Sequence, residues 1–143
     1  MKLYLAGPLF TTAERNFNSQ LRDALIAAGH DVWLPQEKEP RDKNANEMFR
    51  IDVEGINWCD AVVANMDGPD PDSGTSWECG YAYKKKPLVV FRTDIRAGDD
   101  PEIGPYNLML TQSSDIHLEL PWKTVAEIAL LVDSALAQLI QDL

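Results

Sequence analysis

The stretch Asp60-Ala-Val-Val-Ala-Asn-Met66 is apolar on consecutive residues through its centre, so a strand built from it has no wet face. A strand covered on both sides belongs inside a parallel sheet, because sheets with one solvated face alternate apolar and polar residues. Parallel neighbours cannot be joined by hairpins and need crossovers, usually helices. This one segment therefore demands alternating strands and helices from the rest of the chain.

Residues 2–6 form a short apolar run stopped by Gly7-Pro8. Thr11-x-x-Glu14 has capping-box spacing, and Phe17, Leu21, Ala24, Leu25 and Ala28 recur at helical intervals before Gly29. Asp31 to Leu34 reads as a second strand closed by Pro35, and residues 36–43 as a polar surface loop. Asn44-x-x-Glu47 opens a second helix through Met48, Ile51, Asp52 and Ile56 to Trp58. After the third strand comes the turn-rich Asp67-Gly-Pro-Asp-Pro-Asp-Ser-Gly74. Thr75-x-x-Glu78 is expected to start a third helix reaching about Lys86, followed by a fourth strand at Pro87 to Phe91. A helical turn near Asn107 to Leu110 and a small strand at Asp115 to Leu118 come next. A last helix, over about 122–142, carries Val125, Ile128, Val132, Ala135, Leu136 and Leu139 on one face. The expected architecture is a single domain over residues 1–143, of the doubly wound α/β class (flavodoxin-like or Rossmann-like). Its sheet would be parallel and five-stranded, with helices on both faces.

Thirteen Lys and Arg against 23 Asp and Glu give a net charge of −10, which repels polyanions and argues against a nucleic-acid polymer as partner. The basic cluster Lys84-Lys85-Lys86 falls at the expected end of the third helix, where cations complement the dipole. Two cysteines and two histidines are too few for a disulfide framework or a zinc site, and a reducing cytoplasm fits best. The run Leu3 to Phe10 is too short and poorly flanked for a signal peptide. Lys123, Glu127, Asp133 and Gln138 break the C-terminal apolar pattern, which argues against a membrane span.

In doubly wound sheets ligands bind at the carboxyl ends of the strands, near the point where strand order reverses. That directs attention to the segments after strands one, three and four. Gly7 stands alone there, so no phosphate-binding glycine pattern is present and a nucleotide cofactor is disfavoured. His30 and His117 fall at strand starts, away from the ligand edge, which leaves carboxylates: Asp67, Asp70, Asp72 and Glu78. In the first turn of a helix Glu78 would have its proton affinity lowered, as suits a nucleophile that stays ionised at neutral pH. The same residues also suit a capping box, Thr75-x-x-Glu78, and turn aspartates, which usually only bond nearby backbone. Spacing alone leaves both readings open.

Four pieces in order resemble the nucleoside 2-deoxyribosyltransferases: Leu3-Tyr-Leu-Ala-Gly-Pro-Leu-Phe10; Ile51-Asp-Val-Glu-Gly-Ile56 with Asp60 following; Asp72-x5-Glu78-Cys-Gly-Tyr-Ala82; and Tyr106-Asn-Leu-Met109. The resemblance spans residues 3 to about 110. It implies transfer of 2-deoxyribose between nucleobases by double displacement on a flavodoxin-like sheet, with retention of configuration and no metal or organic cofactor. Glu78 matches the family nucleophile, which forms a covalent deoxyribosyl-enzyme, and Tyr4 the tyrosine that orients it. Asp52 and Asp72 match the aspartates that hold the base and move its proton. Asn107 matches an asparagine lent by a neighbouring subunit, which implies a homo-oligomer, at least a dimer and up to a hexamer. Gly7, Phe10, Trp77 and Met109 are expected to line the substrate pocket. The partners implied are deoxynucleosides and free nucleobases.

Each residue has a structural alternative: Tyr4 as a packed strand aromatic, Asp52 as a solvated helix position, Asn107 as a helix cap, and Phe10, Trp77 and Met109 as core. A related group hydrolyses 2-deoxynucleoside 5′-monophosphates and grips phosphate with a Ser- and Arg-rich loop after strand one. Here that loop, Gly7 to Arg15, has no arginine before position 15, which favours unphosphorylated nucleosides. A nucleotide-sensing module would explain the sheet, but not the co-occurrence of Asp52, Asp72, Glu78 and Asn107.

Overall fold

The computed structural model describes residues 1–96, 98 and 100–142. Strands and helices alternate as β1 (Lys2–Ala6), α1 (Thr12–Ala27), β2 (Asp31–Trp33), a 3-10 turn (Pro35–Glu37), α2 (Ala45–Trp58), β3 (Ala61–Asn65), α3 (Ser73–Ala82), β4 (Leu88–Arg92), α4 (Leu108–Ser113), β5 (Ile116–Glu119) and α5 (Val125–Gln141). All strand pairs are parallel, in the order β2-β1-β3-β4-β5. β3, the run with no wet face, lies in the middle and is buried at all five residues. Strand order reverses between β1 and β3, so the crevice at their carboxyl ends is the position this topology favours for a ligand.

Side-chain parity divides the core into two layers. Leu3, Leu5, Ala61, Val63, Val89 and Phe91 face α1 and α5, where Leu21, Leu25, Ile128, Val132 and Leu136 meet them. Tyr4, Ala6, Val62, Ala64, Leu88 and Val90 point to the opposite face, against Ile56 of α2, Cys79 and Ala82 of α3 and Leu110 of α4. The parity of β1 thus aims Tyr4 under the helices that carry Asp52 and Glu78.

The helix starts follow local capping with one correction. Thr11 and Thr124 each form a full capping box, with Glu14 and Glu127, and Asn44 accepts from the Glu47 amide. Thr75-x-x-Glu78, however, is not a capping box. The cap of α3 is Asp72, whose Oδ2 accepts from the amide and the hydroxyl of Thr75, both at 3.0 Å. The helix therefore begins at Ser73, and Glu78 stands in its second turn. α3 also ends at Ala82 rather than near Lys86, and Lys84 takes a left-handed conformation (φ 64°) beyond it. Lys86 does complement a helix end, but that of α2: its ammonium donates to the carbonyls of Asn57 and Cys59 at 3.0 and 2.6 Å.

α2 lies so close to the sheet that Gly55 has no room for a side chain. A Cβ there would sit 2.5 Å from Trp33 Nε1 and 2.7 Å from Cε2, and the Trp33 ring is itself packed against Trp58. Gly55→Ala should therefore lower stability by about 1–3 kcal/mol despite alanine's better helix propensity. Thermal unfolding checks this; a raised melting temperature would mean that the indole swings aside freely.

Candidate functional site

A cleft of about 190 Å³ opens at the β1/β3 crevice, and its lining includes Gly7, Phe10, Asp52, Asp72 and Glu78. Each arrives by a different route. Gly7 follows β1 and passes close to the end of β3: a Cβ on it would lie 3.1 Å from that of Asn65, so the site brings two backbones together where a side chain would crowd them. Asp52 comes from the inner face of α2, Asp72 from the cap of α3, and Glu78 from the second turn of α3. Phe10 forms part of the rim and is 71% exposed.

Beneath the cleft Tyr4 is fully buried, and its hydroxyl lies near the Glu78 carboxyl. Neither Tyr4 Oη nor Glu78 Oε2 has a partner at full hydrogen-bond geometry, although both atoms are sealed from solvent. Burial pushes the Glu78 carboxyl up to about 7; the Tyr4 hydroxyl draws it down, and Asp52 and Asp72 push it further up. This reverses the expectation that a helix N-terminus would lower it. With Asp72 as the cap, Glu78 sits beyond the first turn, where the dipole has weakened, and desolvation dominates. Burial also raises Asp52 to about 6, with the Glu39 charge adding to it, and raises Tyr4 so that its hydroxyl stays protonated. The arrangement is two carboxyls that titrate near neutrality, plus one phenol able to donate to one of them.

The remaining candidate residues lie outside this cleft in a single chain. Asn107 caps α4, its Oδ1 accepting from the Met109 amide at 2.9 Å. Asn107 and Met109 line a separate groove of about 420 Å³ between α3 and α4, together with Asp70, Ser76 and Tyr83. Met109 is 70% and Trp77 47% exposed; Trp77 stacks on Tyr81 and meets Phe49 edge-on, forming an aromatic strip across α2 and α3. Asp67 ties the exits of β3 and β4 together by accepting from the amides of Thr93 and Asp94 at 2.7 and 2.9 Å. Asp60 accepts from the Lys2 amide at 2.8 Å and so anchors the start of β1.

The segment after β2 also belongs to the site. Pro35, Lys38, Glu39 and Pro40 form one wall of the cleft, where a polar surface loop was expected. The available signal was topological: β2 adjoins β1, so its exit also borders the crevice. Among the described residues no group of three or more His, Cys, Asp or Glu side chains is placed to hold a metal ion, and no helix is long and apolar enough to cross a membrane.

Residues 3–109 match the family model described as nucleoside 2-deoxyribosyltransferase. No curated protein sequence matches. Among solved structures, the 2-deoxyribosyltransferase of Bacillus psychrosaccharolyticus is 26% identical, with a TM-score of 0.70 and 90% of each chain covered. The 2-desoxiribosyltransferase of Leishmania mexicana is 24% identical, with a TM-score of 0.69 over 92% of this chain and 97% of that one. The CMP N-glycosidase BcmB of Clostridium botulinum is 19% identical, with a TM-score of 0.64 over 93% and 98%. The last two are similar in fold.

Proposed function

Because this chain belongs to the nucleoside 2-deoxyribosyltransferase family, we propose that it moves 2-deoxyribose from one nucleobase to another through a covalent intermediate on Glu78. The observation that carries the reading is the pairing of Glu78 with Asp52 in one cleft, both raised toward neutrality, above the Tyr4 hydroxyl. Breaking an N-glycosidic bond leaves positive charge on the sugar and negative charge on the base. One carboxylate must therefore attack while an acid protonates the base.

In the first displacement an ionised Glu78 oxygen bonds to C1′ as the C1′–N bond breaks, and its electron pair leaves with the base, which takes a proton from Asp52. In the second, a nitrogen of the incoming base attacks C1′, Glu78 departs as carboxylate, and the surplus proton returns to Asp52. Two inversions retain configuration. Tyr4 donates to the Glu78 oxygen that does not attack and so orients it. Asp72, whose Oδ2 is committed to the α3 cap, has its second oxygen left for the base.

Two features favour unphosphorylated nucleosides over 5′-monophosphates. Arg15, the first arginine after β1, is turned to the Leu9 carbonyl and the Glu39 carboxylate, both at 3.1 Å, rather than into the cleft. Lys38 lines the cleft, but its ammonium rests over the Trp33 ring, 5.0 Å from the centroid. Water can intercept the intermediate, so slow hydrolysis accompanies transfer. The active form is a homo-oligomer in a soluble, cytoplasmic setting. The strip of Phe49, Trp77 and Tyr81 and the exposed Met109 supply an apolar face for a second copy.

The test is incubation of thymidine and other deoxynucleosides with adenine and other bases, with chromatographic detection of the exchanged nucleoside; no product from any pair would sink the reading. The pH dependence adds a second arm. Activity falls on the acid side as Glu78 gains its proton and on the alkaline side as Asp52 loses its own. A narrow bell centred at about pH 6.5 is expected in kcat/KM, its limbs belonging to the coupled pair. A rate that is flat from pH 5 to 8 would exclude these two groups from the chemistry.

A further inference from the structure

The wall formed by the segment after β2 contains a carboxylate held in place by more than its own backbone. Arg15 Nη1 donates both to the Leu9 carbonyl and to Glu39 Oε1, so one guanidinium joins the loop after β1 to the loop after β2. The base of that second loop is pinned as well. Buried Asn18 donates to the Pro8 carbonyl at 2.9 Å and to Gln36 Oε1 at 3.0 Å, while Gln36 Nε2 donates to the Arg15 carbonyl and to Ser19 Oγ. The result is a clasp across the mouth of the cleft, and Glu39 lines the same cleft as Asp52.

We propose that Glu39 is a positioning residue for the reaction: a clasped carboxylate whose fixed negative charge keeps on Asp52 the proton that the departing base needs. The idea rests on the reading of Asp52 as the acid and extends it to a residue that does not touch the reacting atoms. Other charged or titratable groups face this space. From β1 comes Tyr4, which stays protonated; from α3 come Asp72 and Glu78; from the clasp itself comes Lys38, whose ammonium is drawn onto Trp33. On α2, Arg50 is held between Glu47 and Glu54 on the exposed side. After burial, the Glu39 charge raises Asp52, in the direction that retains its proton; ionised Glu78 repels Asp52 in the same direction, but its charge comes and goes with the reaction whereas that of Glu39 is constant. Arg15, which does not line the cleft, offsets part of that charge and also fixes where the rest is applied.

The experiment titrates Asp52 directly by carbon-13 NMR of protein labelled at aspartate carboxyls, with the Asp52 resonance identified by its loss in Asp52→Asn. Glu39→Gln keeps the size and the oxygen that accepts from Arg15 and removes only the charge. The Asp52 midpoint is expected to fall by about 0.5–1 pH unit, as a unit charge acting through a partly solvated gap should produce. Glu37→Gln, on the same segment but paired with Arg22 outside the cleft, should leave it unchanged. Single-turnover base release in Glu39→Gln should drop about 3–10-fold above pH 7 and come within about twofold of wild type at pH 5. Release from a 7-methylated purine deoxynucleoside, whose base leaves without protonation, should be insensitive to the substitution. An unchanged Asp52 midpoint overturns the proposal, and so does a loss of rate that is uniform in pH. If the wild type releases no base at all, the transfer reading fails instead, and the titration still decides what Glu39 does to Asp52.

Discussion

Glu78→Gln is expected to cut base exchange by at least about 10³-fold while leaving the protein more stable at pH 8 than the wild type. The loss follows from chemistry: an amide oxygen carries no charge to place on C1′. The gain follows from linkage. Burial raises the Glu78 carboxyl from 4.5 to about 7, so the folded state holds this proton more tightly than the unfolded chain does. The stability it contributes is complete below pH 4.5 and is lost as pH rises through 7, leaving a buried charge at pH 8. Glutamine removes that charge. Because the outer part of the residue reaches solvent, the gain is put at about 1–2 kcal/mol, or about 3–6 °C in melting temperature, and it should vanish at pH 4. A fall in melting temperature at pH 8 would mean that Glu78 supports the helix after all. Substantial residual exchange would remove it from the chemistry.

The second large effect concerns Asn107, which lies in the groove between α3 and α4, apart from the cleft holding Glu78. Contact with substrate therefore requires that it serve a neighbouring copy. Asn107→Ser keeps an oxygen able to cap α4 and removes the amide donor, so it should lower exchange by about 10²-fold with little change in folding. Glu78→Ala and Asn107→Ser proteins, each inactive alone, should recover activity when mixed and re-annealed. In each hybrid dimer one shared site carries both defects and the other carries neither. Random pairing thus restores about a quarter of the wild-type rate, half the dimers being hybrid with one intact site in two. Hybrids that demonstrably form yet stay inactive would show that Asn107 acts within its own chain or not at all.

What the linear order of residues determined about this protein is what depends on near neighbours in the chain. The apolar run Ala61–Asn65 required a buried parallel strand, and the caps Thr11, Asn44 and Thr124 with their glutamates mark helix starts because both partners lie within one turn. Tyr4, Asp52, Asp72 and Glu78 are singled out as a set by the family resemblance of their motifs. That Asp52, Asp72 and Glu78 line one cleft with Tyr4 beneath it was left to the sheet, because the β1/β3 reversal brings a strand, two helices and a cap within reach of one another. The start of α3 was misread for a related reason: Asp72 and Thr75 both offer plausible caps, and three-dimensional geometry chose the first, moving Glu78 out of the dipole's reach. Its acidity then followed burial, a property of the packed molecule that no spacing encodes. The wall at Lys38 and Glu39 likewise looked like solvent-facing polar chain; it became part of the site when Arg15 and Asn18, more than fifteen residues earlier, tied it down. Local bonds write helix ends into sequence, whereas desolvation and long-range clasps exist only once distant segments have packed.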